Sequence, residues 1–258
     1  MSRIIAVANQ KGGVGKTTTA INLAAALAVA ERRTLLVDAD PQSNATRGLG
    51  VTAQEGRPSL YDVLTREVAP REALLKTDLH YLTLLPADRD LTGAEIELTG
   101  AEEREYRLRQ AIRALEEDYE FIILDCPPAL GLLTLNALCA ARAVLVPVQC
   151  EYLALEGLTE LMETLKRVRE ALNPDLSLEG ILLTMYDDRI NLARQVVGEV
   201  QKYFKERVFN VVVPRNVRLG EAPSFGKPII LYDIRSKGAE AYLSLAREIM
   251  DHEKTGAW

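Results

Sequence analysis

Asn9-Gln10-Lys11-Gly12-Gly13-Val14-Gly15-Lys16-Thr17-Thr18 is the stretch on which the reading of this chain turns. Ile4-Ile5-Ala6-Val7-Ala8 before it is an apolar run of strand type, and Ala20, Leu23, Ala24 and Leu27 after it recur at helical spacing. Strand, glycine-rich loop and helix in that order form a phosphate cradle. Gly12, Gly13 and Gly15 can turn successive N–H groups toward one anion, and the helix adds its unpaired amino-terminal donors. With Val14 and Thr18, these residues form the expected phosphate-binding set. Lys16 supplies a point charge for the outer phosphates, and Thr17 a hydroxyl for Mg²⁺. The competing reading, a glycine turn with a stray lysine, does not account for the flanking strand and helix. In the template Gly-x4-Gly-Lys-Thr, Gln10 stands where the first glycine belongs, and Lys11 is an extra cation at the mouth. One lysine suffices within a subunit, so Lys11 is placed to reach phosphates bound by another copy.

The 258 residues suit one α/β domain, spanning 1–258, that buries about 70–75% of its unfolded surface. A formal net charge of −6 means that any contact with nucleic acid must come from a local basic patch. No apolar run reaches membrane-span length, and the opening Met1-Ser2-Arg3 enters a strand without a signal-peptide pattern. Cys126, Cys139 and Cys150 are scattered, which suits reduced thiols in a cytoplasm and argues against a zinc or cluster site.

Strand-type and helix-type segments alternate along the chain, giving a mostly parallel twisted sheet with helices on both faces. In such folds ligands gather beyond the carboxyl ends of the strands. The second strand, Thr34 to Val37, leads into Asp38-Ala39-Asp40, and carboxylates there are costly unless paired, hydrated or close to a metal. A capped turn is the plain alternative. Ser59 is expected to cap a helix over Leu60–Thr65, residues 47–57 to form a loop, and Leu79–Leu85 to form a strand. A helix is expected over Glu102–Asp118. Phe121-Ile122-Ile123-Leu124-Asp125 is an apolar strand ending in a carboxylate, which would hold Mg²⁺ through water while Thr17 binds it directly. Helices are expected over Leu153–Leu172, with Leu155, Leu158, Leu161, Met162 and Leu165 packed on the sheet, and over Leu192–Lys205. Between Lys202 and Lys237 there are eight Lys or Arg against three acids, a patch that suits DNA phosphates but could equally be ordinary solvated surface.

The loop with Lys11 resembles the deviant Walker A motif of the ParA/MinD ATPases. The segments Lys11–Thr18, Leu35–Asn44, Ile122–Gly131, Pro147–Gly157 and Pro214–Pro228 carry that resemblance from residue 3 to about 247, most closely to the small chromosomal ParA proteins of the Soj type. It implies a P-loop NTPase fold, ATP and Mg²⁺ as cofactors, and Lys11 crossing a homodimer interface to a sandwiched ATP. By the same resemblance Asp40 positions or activates the attacking water, and Asp38 sits nearer the Mg²⁺ shell. Leu91–Leu98 is similar to a stretch near the dimer face; Pro214 and Asn216 frame the adenine. Arg189, Arg215 and Arg218 lie on a face that binds double-stranded DNA without sequence preference. The implied partners are a ParB-like partition protein that stimulates hydrolysis and, further off, the replication initiator; the implied location is the cytoplasm, on the nucleoid. There is no room for the separate amino-terminal DNA-binding domain of large plasmid ParA proteins. A MinD-like membrane-positioning ATPase is the alternative, but it needs an amphipathic carboxyl-terminal anchor, whereas Tyr242, Leu245, Ala246 and Ile249 read as packing. An amide-forming ATP ligase of the same superfamily would need a small-molecule pocket that no residue pattern announces.

Overall fold

A computed structural model describes residues 2–51, 57–66, 68–151 and 154–255. Strand β1 (Arg3–Val7) runs into the glycine loop and helix α1 (Lys16–Val29). Then come β2 (Thr34–Asp38), α2 (Asn44–Gly48), α3 (Leu60–Thr65), β3 (Leu75–Lys76), β4 (Leu82–Leu85), α4 (Leu91–Glu97) and α5 (Arg107–Arg113). Next, in order, are β5 (Phe121–Asp125), α6 (Leu132–Ala140), β6 (Ala143–Gln149), α7 (Ala154–Ala171), β7 (Ser177–Tyr186), α8 (Asn191–Phe204) and β8 (Val208–Pro214). Three helices close the chain: α9 (Val217–Glu221), α10 (Ile229–Tyr232) and α11 (Lys237–Thr255).

The eight strands form one sheet in the order β3-β4-β2-β5-β1-β6-β7-β8. Every pairing is parallel except β3 with β4. The strands read as continuous apolar runs because both faces are covered. Their side chains alternate between two cores. Ile4, Ala6, Leu35, Val37, Ile122 and Leu124 join the helices α3 to α8. Ile5, Val7, Leu36, Ile123 and Leu145 join α1, α2 and α9 to α11 on the other face. Helix α1 is buried over most of its circumference, which explains its run of alanines.

Ser59 caps α3 as expected, in a reciprocal box with Asp62. The stripe of α7 packs on the sheet, with Leu158, Leu161 and Leu165 buried; its expected first residue, Leu153, lies outside the described residues. Part of the expected loop 47–57 is helical, since α2 runs to Gly48, and residues 52–56 are not described. The helix expected over 102–118 is shorter. Asn136 of α6 accepts from Leu108 N at 3.0 Å and donates to Arg104 O at 2.8 Å, so a tertiary side chain sets the start of α5. Glu103 just before it is left-handed, and Leu115 N bonds back to Ile112 O at 2.8 Å in a tightened last turn. Likewise β4 begins only at Leu82, because Leu82 N folds back on Leu79 O in a turn held by the Thr77 hydroxyl.

Candidate nucleotide site and basic face

The loop after β1 is fixed from both sides. Asn9 donates to Pro147 O at 2.7 Å, and its side-chain oxygen accepts from Lys11 N at 3.0 Å. Thr184 of β7, which no sequence signal singled out, donates to Val14 O at 2.8 Å. Gly13 (φ 75°) and Gly15 (φ 92°) occupy left-handed conformations that a side chain would strain. Lys16 reaches back over the loop, its Nζ donating to Lys11 O at 2.9 Å. Burial lowers its pKa; Asp125, Cys126 and Asp40 partly offset that.

Three strand ends bring the carboxylates beside this loop. Asp38 ends β2 and Asp125 ends β5, and the two are paired in register, with Val7 of β1 opposite Asp125. Both side chains are fully buried. Their surroundings differ. One oxygen of Asp38 accepts Thr46 N and the Thr46 hydroxyl, each at 2.7 Å, and the other accepts Asp40 N at 3.2 Å. A metal contact expected of Asp38 would have to compete with those donors. Burial raises its pKa to about 6 against the pull of these bonds. Neither oxygen of Asp125 has a well-formed hydrogen bond. Burial first and Asp38 second push its pKa well above the usual carboxylate range, with the nearby Thr17 hydroxyl and Lys16 giving partial relief. A buried carboxylate without a well-formed hydrogen bond, next to a threonine hydroxyl and a phosphate cradle, fits a hard divalent cation. Asp40 is also buried, and its carboxylate accepts from Gln42 N at 2.9 Å. Cys126 is buried, and burial and Asp125 raise its thiol pKa, so it stays a protonated packing group.

A cavity of about 240 Å³ adjoins the loop, bordered by Gly15, Thr18, Thr184, Met185, Pro214 and Asn216. It brings the end of β8 to the phosphate loop, as the expected base-framing role of Pro214 and Asn216 requires. Asn216 is committed on one side, its oxygen accepting from Arg218 N to start α9. Met185 and Tyr242 also line this cavity, Tyr242 having been read from the sequence only as a packing residue. A wider cleft of about 760 Å³ lies at the opposite edge of the sheet, among Arg33, Arg109, Arg113 and Arg142, and no residue of the glycine loop 9–18 is among its lining.

Lys11 stands at the mouth with its side chain 46% exposed and its Nζ 3.5 Å from a Glu151 oxygen. The three arginines expected to touch DNA follow the ends of β7 and β8, where Tyr186 pairs with Pro214 and Arg215 N donates to Tyr186 O. All three are exposed. Arg189 is held by Asp187 through Nε at 2.9 Å and Nη2 at 2.7 Å. Arg218 faces Glu221 at 2.9 Å and Asp233 at 3.6 Å.

A family model described as an AAA domain matches residues 2–178. The chromosome partitioning protein ParA of Myxococcus xanthus is 61% identical over 253 residues, covering 98% of this chain and 89% of that protein. The chromosome-partitioning ATPase Soj of Thermus thermophilus is 56% identical, covering 96% and 95% of the two chains. The chain belongs to the ParA/Soj family of chromosome-partitioning ATPases. A solved structure titled cobyrinic acid a,c-diamide synthase from Mycobacterium smegmatis, with bound ATP analog and magnesium, superposes on this ParA/Soj-family chain with a TM-score of 0.87. It is 42% identical and the match covers 99% and 97% of the two chains.

Proposed function

We propose that this chain is a nucleotide-switched partition ATPase that closes as a homodimer around ATP, grips duplex DNA without sequence preference in that state, and releases it after hydrolysis stimulated by a ParB-like partner. The observation that carries the nucleotide half is Asp125, a buried carboxylate whose oxygens lack a well-formed hydrogen bond, beside Lys16 and Thr17. The N–H groups of Gly12 to Thr18 bind the phosphates, and Lys16 holds the outer ones. Mg²⁺ held by Thr17 and Asp125 would offset charge on the β- and γ-phosphates. Asp40 positions the attacking water, which is the step removed in Asp40→Ala.

The dimer half rests on Lys11. Its contact with Glu151 is exposed and therefore weak, so its charge is free to move to phosphates on a second copy. Ile96 of α4 is 77% exposed and Leu130 40% exposed, apolar surface that the same closure would cover. DNA contact rests on Arg189, Arg215 and Arg218, and two copies present six such cations. Because counterion release scales with the number of phosphates neutralised, the dimer binds far more tightly than the monomer. This reading puts the protein on the nucleoid in the cytoplasm, with the replication initiator as a further target implied by the family resemblance.

Two rivals are weaker. A MinD-like membrane anchor would need a free apolar side on α11, whereas Tyr242, Leu245, Ala246 and Ile249 are buried in the core. An amide-forming activity, as the Mycobacterium smegmatis name denotes, belongs to a relative less similar than the partition proteins.

The test is a duplex-binding titration with ATP, with ADP and without nucleotide, at two salt concentrations. Binding should need ATP and weaken steeply with salt, and Arg189→Ala or Arg218→Ala should remove it without harming dimerisation. Equal binding with ADP overturns the switch.

A further inference from the structure

Thr46 lies on α2, eight residues after Asp38, and its sequence position alone assigns it no role. It is 2% exposed. A buried helical threonine usually returns its hydroxyl to a carbonyl of its own helix. This one does not. Its hydroxyl donates to an Asp38 oxygen at 2.7 Å and accepts from Ala87 N at 3.0 Å, while its backbone N–H gives the same Asp38 oxygen a second bond at 2.7 Å. The other Asp38 oxygen takes Asp40 N at 3.2 Å. Asp40 O in turn accepts Ser43 N at 2.8 Å, in a tight turn whose Ser43 is left-handed at φ 48°. One hydroxyl thus ties together the exit of β4, the end of β2 and the turn that carries Asp40. The near end of that turn is pinned separately, by Ala39 N on Asp125 O at 3.0 Å.

We propose that Thr46 is a positioning residue for hydrolysis: through Asp38 it fixes where the Asp40 carboxylate stands, without itself touching nucleotide. The proposal rests on the reading of Asp40 as the group that positions the attacking water. Thr46→Val keeps the shape but takes a donor from Asp38 and leaves Ala87 N–H, a buried group, without a partner. The Asp40 turn then relaxes. A misplacement of about 1 Å in a reacting group costs on the order of 10²-fold in rate. Phosphate binding rests on the loop after β1, which Thr46 does not touch.

The experiment compares steady-state ATP turnover and equilibrium ATP binding in the parent, Thr46→Val and Thr46→Ser, well below each variant's melting temperature. We expect kcat to fall by about tenfold or more in Thr46→Val, with KM and nucleotide affinity within about twofold, and Thr46→Ser to recover most of kcat. Should Thr46→Val fail to fold, Thr46→Ala against Thr46→Ser makes the same comparison of hydroxyl absent and present. Turnover unchanged without the hydroxyl overturns the proposal. So does a joint loss of kcat and nucleotide affinity that serine does not restore, since that marks a purely structural part. Asp40→Ala runs alongside: if it still hydrolyses ATP, the reading of the site itself fails, whatever Thr46 does.

Discussion

Replacing Asp125 by asparagine should stabilise the metal-free protein while abolishing hydrolysis. The carboxylate is fully buried, neither oxygen has a well-formed hydrogen bond, and Asp38 lies opposite it in the neighbouring strand. An unsatisfied buried polar group costs about 1–3 kcal/mol, more when charged. Asparagine cannot ionise, so it removes the cost of holding a proton that the unfolded chain releases, but it keeps an amide that is itself imperfectly satisfied; a net gain of about 1–2 kcal/mol is expected. For a chain of this size that is a rise in Tm of about 2–8 °C. The pH dependence has a definite sign. Burial raises the folded pKa above the ordinary aspartate value of 3.8, so between that value and the raised one the folded state holds a proton that the unfolded state has released. Stability of the parent therefore falls as pH rises through that window, and the asparagine variant lacks this loss. The gap should be absent in acid, open above about pH 4 and widen toward neutrality. Thermal melts of both proteins in EDTA without nucleotide, across pH, measure it. Addition of Mg²⁺ and ATP should then stabilise the parent and leave the variant with little magnesium-dependent gain. A variant less stable than the parent at neutral pH in EDTA, or a gap that does not change with pH, refutes the reasoning that Asp125 is held as a poorly compensated carboxyl for a cation.

Two further outcomes follow from the geometry. Asp187→Asn releases Arg189 from a two-point ion pair that holds the Asp187 pKa down to about 2. ATP-dependent DNA affinity should rise, by up to about fivefold for an exposed pair; weaker binding in a fluorescence anisotropy titration would show that Asp187 orients the arginine instead of competing for it. Gly226→Ala places a Cβ 2.5 Å from Gly50 Cα at a left-handed position of φ 62°, where backbone meets backbone and nothing flexible can yield. It should cost about 2–4 kcal/mol in urea unfolding, and a loss below about 0.5 kcal/mol would contradict that close approach.

The sheet was legible in the sequence because parallel strands covered on both faces announce themselves as unbroken apolar runs, and Lys16, Asp38, Asp40 and Asp125 were legible because each follows such a run. The two cores were implicit in the same runs, Ile4 and Ala6 pointing one way, Ile5 and Val7 the other. Features set by distant partners left no local trace. The start of α5 depends on Asn136, 28 residues from Leu108. The state of Asp38 depends on Thr46 and Ala87, on a helix and a strand exit that no spacing rule connects. The ion pair of Arg218 with Asp233 joins residues 15 positions apart across two short helices. The sequence could therefore name the cations of the basic face but not show that two of them are already matched by acids.

On the proposed mechanism, Lys11 shares the charge of a bound triphosphate between two copies. Sedimentation of the Asp40→Ala protein, which is expected to bind ATP without cleaving it, with saturating Mg²⁺ and ATP measures this. A species of twice the chain mass is expected, and it should disappear when Lys11→Ala is added. A single-chain mass under those conditions, or a dimer indifferent to Lys11→Ala, contradicts that mechanism.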